Sequence, residues 1–299
     1  MKRLVLLVFA ALVLSGCDQL NSSPTEPSGP MTGNAVSYTA IGASDAAGVG
    51  SSSPCVPFVQ TDCPDGRGYV PDLVRQFKDA GKQVHLLNLG VPGTVLNAEI
   101  QDLGNQLDPQ AGLAFPGIEG SIPSNFLDNQ APFVAKDSTL VTVFAGGNDA
   151  NVIGRALRAG LGGSNPEAFV GKLVADFGRD AKALVATVQD RAPQARIVVL
   201  NLPNLAALPY AAGYSASEKA ALQEIAVDLS AQLNALTSTG ALVVDVMCDP
   251  GFYQANLFSG DGFHPNDAGY ARMASVIYPV ATTGVSAAPQ ASCGQMRLY

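Results

Sequence analysis

Five short runs of the chain are mostly apolar and carry β-branched residues: 36–41, 84–89, 140–145, 197–202 and 241–246. Runs of that length without alternation read as strands buried on both faces of a parallel sheet. Longer patterns between them, over 69–81, 167–191 and 218–237, read as helices, the last with Ser215 and Glu218 as a capping box. A further helix is expected over 268–280, after Pro265 and with Asn266 as its N-cap. Strands alternating with helices imply right-handed crossovers and a doubly wound sheet of the α/β class. In such a sheet the ligand crevice lies beyond the C-terminal ends of the strands. The stretch 105–138 is too long for a simple connection and is rich in Gly, Pro and apolar residues. It reads either as a substrate flap or small helical cap, or as an insertion without a role.

The N-terminus breaks this pattern. Lys2 and Arg3 precede an apolar stretch over 4–14 that is too short for an ordinary membrane-spanning helix and ends in Leu14-Ser15-Gly16-Cys17. This resembles the lipobox of bacterial lipoproteins, which implies cleavage after residue 16 and lipidation of Cys17; the plainer alternative is a secretory signal with a chance cysteine. A multiply acylated Cys17 would anchor the protein stably to a membrane. Residues 18–34 are rich in Ser, Pro, Thr, Gly and Asn and read as a flexible tether. Such a tether has a reach of about 20–25 Å, so the domain over 35–299 would sit near the membrane surface.

Composition narrows the partners. Loss of Lys2 and Arg3 takes the basic residues from 17 to 15 against 25 acidic ones. An acidic chain without basic clusters argues against nucleic acid as a partner. Beyond Cys17 stand Cys55, Cys63, Cys248 and Cys293, an even number that suggests two disulfides in an exported chain. Three pairings are open; Cys55–Cys63 as a local loop and Cys248–Cys293 as a clasp on the C-terminal tail are favoured. A zinc site is a poor alternative, because the spacings do not resemble one and His85 and His264 are the only histidines. No metal or cofactor is expected.

Four motifs carry chemistry: Gly42-Ala43-Ser44-Asp45, Asn88-Leu89-Gly90-Val91-Pro92-Gly93, Gly146-Gly147-Asn148-Asp149 and Asp261-Gly262-Phe263-His264. Ser44, Gly93 and Asn148 each follow a strand, and the Asp261–His264 pair follows the fifth strand by a longer loop, so all four reach one edge of the sheet. Singly each has a plainer reading. Ser44 suits a turn, Asp149 suits a helix cap, and the glycines at 90 and 93 suit a phosphate loop, although no lysine follows them. His85 lies within an apolar strand and reads as a core or edge histidine. Together the motifs supply a nucleophile, a base, an orienting acid and oxyanion donors.

In that order and spacing they resemble the SGNH hydrolases, or GDSL esterase/lipase family, over about residues 36–281. The resemblance implies a flavodoxin-like three-layer α/β/α sandwich with a five-stranded parallel sheet. It implies Ser44 as nucleophile, His264 as base and Asp261 as the acid that orients it. It also implies an oxyanion hole made by the Ser44 and Gly93 amides and the Asn148 side chain, with Gly90 as second choice for the glycine. One departure is visible: the usual Gly-Asp-Ser is here Gly42-Ala43-Ser44, with Asp45 after the serine.

The expected protein is a membrane-tethered extracytoplasmic serine esterase, a monomer, acting on lipid or short acyl esters. A carbohydrate O-deacetylase is the close rival; the chain has no Trp, but Tyr69, Tyr210, Tyr253 and Phe263 are available as stacking aromatics. The rival from another class is a non-catalytic surface lipoprotein that keeps the fold to bind a ligand.

Overall fold

The computed structural model describes residues 31, 33–55, 63–107 and 122–299. The signal segment 1–16, Cys17, the tether up to residue 30 and the middle of the 105–138 segment lie outside them. Five strands form the sheet: β1 (Ala35–Gly42), β2 (Gln83–Asn88), β3 (Leu140–Phe144), β4 (Arg196–Leu200) and β5 (Leu242–Val244). They pair in the order β2-β1-β3-β4-β5, and every pairing is parallel. The order reverses between β1 and β3, which opens a crevice beyond their C-terminal ends.

Alternation along the strands builds two cores. Tyr38 and Ala40 of β1, Leu140 of β3 and Val198 and Leu200 of β4 face one side. There they meet α2 (Tyr69–Asp79) and α8 (Asp267–Thr283), through Phe77, Tyr270 and Ile277 among others. Ile41, Val141, Val143, Ile197 and Val199 face the other side. They are covered by α5 (Gly147–Arg158), α6 (Pro166–Arg191) and α7 (Ala216–Asn234). The result is a three-layer α/β/α sandwich. The short helices α1 (Ser44–Ala47) and α4 (Phe126–Asn129) bring Asp45 and Phe126 to the crevice, and α3 (Ala98–Gln106) packs against α5.

Local signals behave as the sequence suggests at several points. Ser215 and Glu218 form a complete capping box on α7, and Asn266 accepts hydrogen bonds from Ala268 and Gly269 at the start of α8. His85 is exposed on β2, an edge strand, so it belongs to the edge and not the core. α5 starts within Gly146-Gly147-Asn148-Asp149, in keeping with a turn that leads into a capped helix, whereas α3 is not anticipated; Asn97 caps it, its side chain accepting from the Ile100 amide.

The described part of the 105–138 segment is built into the scaffold. Val95 bridges Asn125, and Gln130 is buried with both ends of its amide on Gly42: Oε1 accepts from the Gly42 amide at 3.0 Å and Nε2 donates to the Gly42 carbonyl at 2.9 Å. Residues 108–121, where a flap would project, are not among those described.

Disulfides join Cys55 to Cys63 and Cys248 to Cys293. The second fastens the C-terminal tail. Gln223 of α7 holds that tail too, accepting from the amides of Leu298 and Tyr299, and Asn204 donates to the Gln295 carbonyl. Cys248 and Cys293 are 45 residues apart, a loop whose closure constrains the unfolded chain by about 4 kcal/mol in chain-entropy terms. The Cys248→Ala/Cys293→Ala variant is expected to lose up to about that much unfolding free energy. Urea denaturation of both proteins at one pH measures it, and equal midpoints would contradict it.

Candidate active site

Three loops at the C-terminal strand ends deliver the site. Beyond β1 the chain turns at Ala43 into α1, so Ser44 is the first residue of a helix and its amide has no intrahelical acceptor. Between β5 and α8 the chain makes a tight loop, closed by Ser259 donating to the His264 carbonyl and by the Phe258–Pro265 bridge. These loops touch at Gly50, where a Cβ would come within 2.7 Å of both the His264 Cβ and the Pro265 carbonyl oxygen; its φ of +92° adds a second reason for glycine.

That contact seats an unbroken hydrogen-bond chain. His264 Nε2 lies 2.8 Å from Ser44 Oγ, and His264 Nδ1 lies 2.7 Å from Asp261 Oδ2. The other carboxylate oxygen of Asp261 accepts from the amides of Phe263 and His264. Burial works to raise the Asp261 carboxyl, but the bonds from the His264 ring and from these two amides outweigh it and hold the group well below the usual carboxylate range. An ionised Asp261 can only accept, so Nδ1 carries the proton and Nε2 is left to accept from the Ser44 hydroxyl. Ser44 and His264 are both buried, and Asp261 is partly exposed.

The loop after β2 stands opposite. Asn88 ties it down, with Nδ2 donating to the Ala46 carbonyl in α1 and Oδ1 accepting from the Gly90 amide. The Gly90 donor is therefore engaged. Gly93, at φ +80°, has no hydrogen bond to its amide among the described residues. Asn148, the second residue of α5, donates through Nδ2 to the Thr94 carbonyl at 2.9 Å, which leaves its second amide hydrogen free. Asp149 fixes the same loop, its Oδ1 accepting from the Leu96 amide at 2.8 Å. Burial pushes the Asp149 carboxyl up to about 7, against the lowering effect of the amides of Leu96, Asp149 and Gly146.

Between these loops runs an apolar cleft of about 760 Å³, counted with its open mouth. Phe126, Leu202, Leu205, Leu208, Phe258 and Phe263 are among its walls, and Asn148, Thr94 and Asp45 are its polar lining. Among the described residues no group of three or more His, Cys, Asp or Glu is placed to hold a metal ion.

Every site residue singled out in the sequence except Cys17, which is not described, therefore lies at this sheet edge or in a disulfide. Sequence reasoning misses Asn88 and Gln130, which brace the strand ends. Asn88 stands at the head of the second motif, but Gln130 lies in a stretch with no motif at all. Asp149, read as a helix cap, stands in the first turn of α5 and also holds the Gly93 loop. Of the four aromatics, Tyr69 is fully buried in the α2 core and the Tyr253 hydroxyl is bonded to the Met247 carbonyl, which leaves Phe263, with Tyr210 against it, beside the cleft.

A serine, then an acid, then a histidine, carried in that order by an open parallel sheet, define a hydrolase of the α/β kind and exclude the chymotrypsin-like order and fold. A family model described as the GDSL-like lipase/acylhydrolase family matches residues 40–272. The chain belongs to that family and is a serine hydrolase of carboxylic esters. Solved structures share the fold. An extracellular lipase from Streptomyces rimosus is 22% identical with a TM-score of 0.54, covering 83% of this chain and 100% of its own. Phospholipase A1 from Streptomyces albidoflavus is 19% identical with a TM-score of 0.50, over 82% of this chain and 98% of its own. An acetyl xylan esterase from Geobacillus stearothermophilus is 13% identical with a TM-score of 0.50, over 85% and 95%. A comparison with curated protein sequences finds no significant match.

Proposed function

We propose that the protein is an extracytoplasmic esterase or lipase that cleaves lipid or short acyl esters through an acyl-enzyme. Ser44 Oγ attacks the ester carbonyl carbon and passes its proton to His264 Nε2. The tetrahedral oxyanion is met by the amides of Ser44 and Gly93 and the free amide hydrogen of Asn148. His264 returns the proton to the departing alcohol oxygen, leaving the acyl group on Ser44. Water then attacks the acyl carbon with His264 again as base, which releases the acid and restores the serine hydroxyl. Asp261 keeps the imidazole in the required tautomer and stabilises its charged form.

The observation that carries this reading is the continuous Asp261–His264–Ser44 hydrogen-bond chain at the edge of an apolar cleft. The cleft walls favour an acyl chain over a polar group. The two disulfides favour an oxidising compartment, in keeping with a cleaved signal at 1–16, a lipidated Cys17, a tether up to residue 34 and a monomeric domain over 35–299. No helix among the described residues is long and apolar enough to cross a membrane, so attachment in this reading rests on Cys17.

The test is hydrolysis of p-nitrophenyl esters from acetate to palmitate. Turnover of none of them by the folded protein would sink the reading, and the chain-length optimum ranks esterase against lipase. Asn148→Ala is expected to lower kcat by about 10²–10³-fold with little change in KM, because the donor acts on charge that develops only in the transition state. A loss confined to KM would remove Asn148 from the oxyanion hole.

One observation favours a second reading, an O-deacetylase of carbohydrates. Tyr214, Tyr210, Phe263 and His264 form an edge-to-face run, with centroids 5.8, 4.9 and 5.0 Å apart, which offers sugar rings an aromatic wall beside the base. Acetate release from acetylated xylan, faster than hydrolysis of any p-nitrophenyl ester, would favour it.

A further inference from the structure

The apolar cleft is longer than the triad needs. Ala43, Thr94 and Asn148 place its near end at the nucleophile and the oxyanion donors. From there it crosses the C-terminal ends of the sheet in strand order. Leu202 and Leu205, after β4, wall it from the core on the α5–α7 face. Val246, after β5, and Met273 of α8 wall it from the core on the other face. The cleft thus passes from one layer of the sandwich to the other. It runs along the base loop, whose bridged residues Phe258 and Pro265 both line it.

Phe252 stands at the far end. It lies in the single turn of 3-10 helix that follows β5, Pro250–Tyr253, and is half-buried. Arg272 of α8 lies over its ring, 5.1 Å from the centroid, and is not among the lining residues, so the guanidinium backs this wall from outside. Arg272 is held in turn by Asp249, its Nη2 donating to both carboxylate oxygens at 2.6 Å. The ring is pinned across the end of the cleft.

We propose that the cleft is an acyl-chain tunnel of fixed length and that Phe252, with Met273, sets the longest acyl group the enzyme takes. This rests on the serine esterase reading and names its substrate class: esters of medium-chain fatty acids. Ser44 follows β1 and Val246 follows β5, three strands away in the order β1-β3-β4-β5. Neighbouring strands lie about 4.8 Å apart, so the span is about 14 Å. A zigzag hydrocarbon with bonds of about 1.5 Å advances about 1.25 Å per carbon, so about ten to twelve carbons fill it. Each methylene that enters leaves water for apolar walls and raises kcat/KM by up to about fourfold. Carbons beyond Phe252 gain nothing, because they must stay in water or displace a ring that Arg272 and Asp249 hold.

The test varies the two halves of the ester separately. Across p-nitrophenyl esters from acetate to palmitate, wild-type kcat/KM is expected to rise to an optimum at about ten to twelve carbons. Phe252→Ala is expected to raise the ratio of myristate to decanoate turnover about tenfold or more, by admitting about two further methylenes. Met273→Phe, which fills the far end, is expected to lower the ratio of decanoate to butyrate turnover by a similar factor. Phe252 is half-buried, so its truncation leaves the cores intact, and thermal melting checks both variants. Across acetate esters of alcohols of rising length, neither variant is expected to change the profile, because the tunnel takes the acyl half. A profile that Phe252→Ala leaves unmoved, or a shift in the alcohol series instead, would overturn the proposal and leave the esterase reading standing. A folded wild type inactive on every ester would overturn the esterase reading, and this one with it.

Discussion

Replacing Ser44 by alanine is expected to lower kcat/KM for p-nitrophenyl esters by about 10⁴–10⁶-fold and to leave the fold intact. The size follows from the loss of the covalent route: without the hydroxyl, His264 has nothing to deprotonate but water, and the amide donors alone remain to stabilise charge. The harmlessness to the fold follows from what the side chain touches. The Ser44 hydroxyl bonds to the His264 ring, and α1 is held instead by backbone bonds and by Asn88. His264→Ala should cost about as much, and the double variant little more than either single one, because the two groups act as a unit. Circular dichroism and thermal melting check the fold, and ester hydrolysis checks the rate. Additive losses in the double variant would show that the serine and histidine act independently.

The second large effect concerns stability and pH. Asp149 has a folded pKa of about 7, set chiefly by burial, and an unfolded one of about 3.9. Below both values the group is protonated in both states and contributes no pH dependence. Between them the folded state keeps a proton that the unfolded chain has released, so raising the pH favours unfolding by about 1.4 kcal/mol per unit. Across the whole window that comes to about 4 kcal/mol at most, and the penalty is flat above pH 7. Asp149→Asn keeps an oxygen for the Leu96 amide and cannot ionise. Its stability relative to the wild type is therefore expected to rise between pH 4 and 7. Denaturant midpoints of both proteins at pH 4, 5.5 and 7.5 measure this, and a constant difference would refute it. The unpartnered Asp149 Oδ2, buried among the described residues, is the structural sign of the same cost.

The strands were legible because a sheet covered on both faces demands apolar residues at every position, and 140–145 and 197–202 supply them. The long helices were legible from their patterning and caps, such as Ser215 with Glu218. Of α5 only the start was legible, from Asp149 as a cap residue after the turn-forming Gly146 and Gly147, and packing against α7 holds the rest. α3 is short, contains Gly104, and owes its place to contact with α5 and to the Asn97 cap. Of the site, the groups that do chemistry stood out as residue types with few other reasons to be there: His264 is one of two histidines, and Asp261 is three residues before it. The bracing groups did not. Gln130 reaches Gly42 across 88 residues, and no local pattern encodes so distant a contact.

The site is assembled from points far apart along the chain: His264 meets Ser44 across 220 residues, with Asn148 between them. A growing polypeptide presents its serine first, then the amide of Asn148, and only near its end the imidazole. The nascent enzyme thus passes most of its synthesis as a harmless fragment, with a serine that nothing can activate. A chain cut short before residue 264 holds the nucleophile and its oxyanion donors without the base that would set them to work.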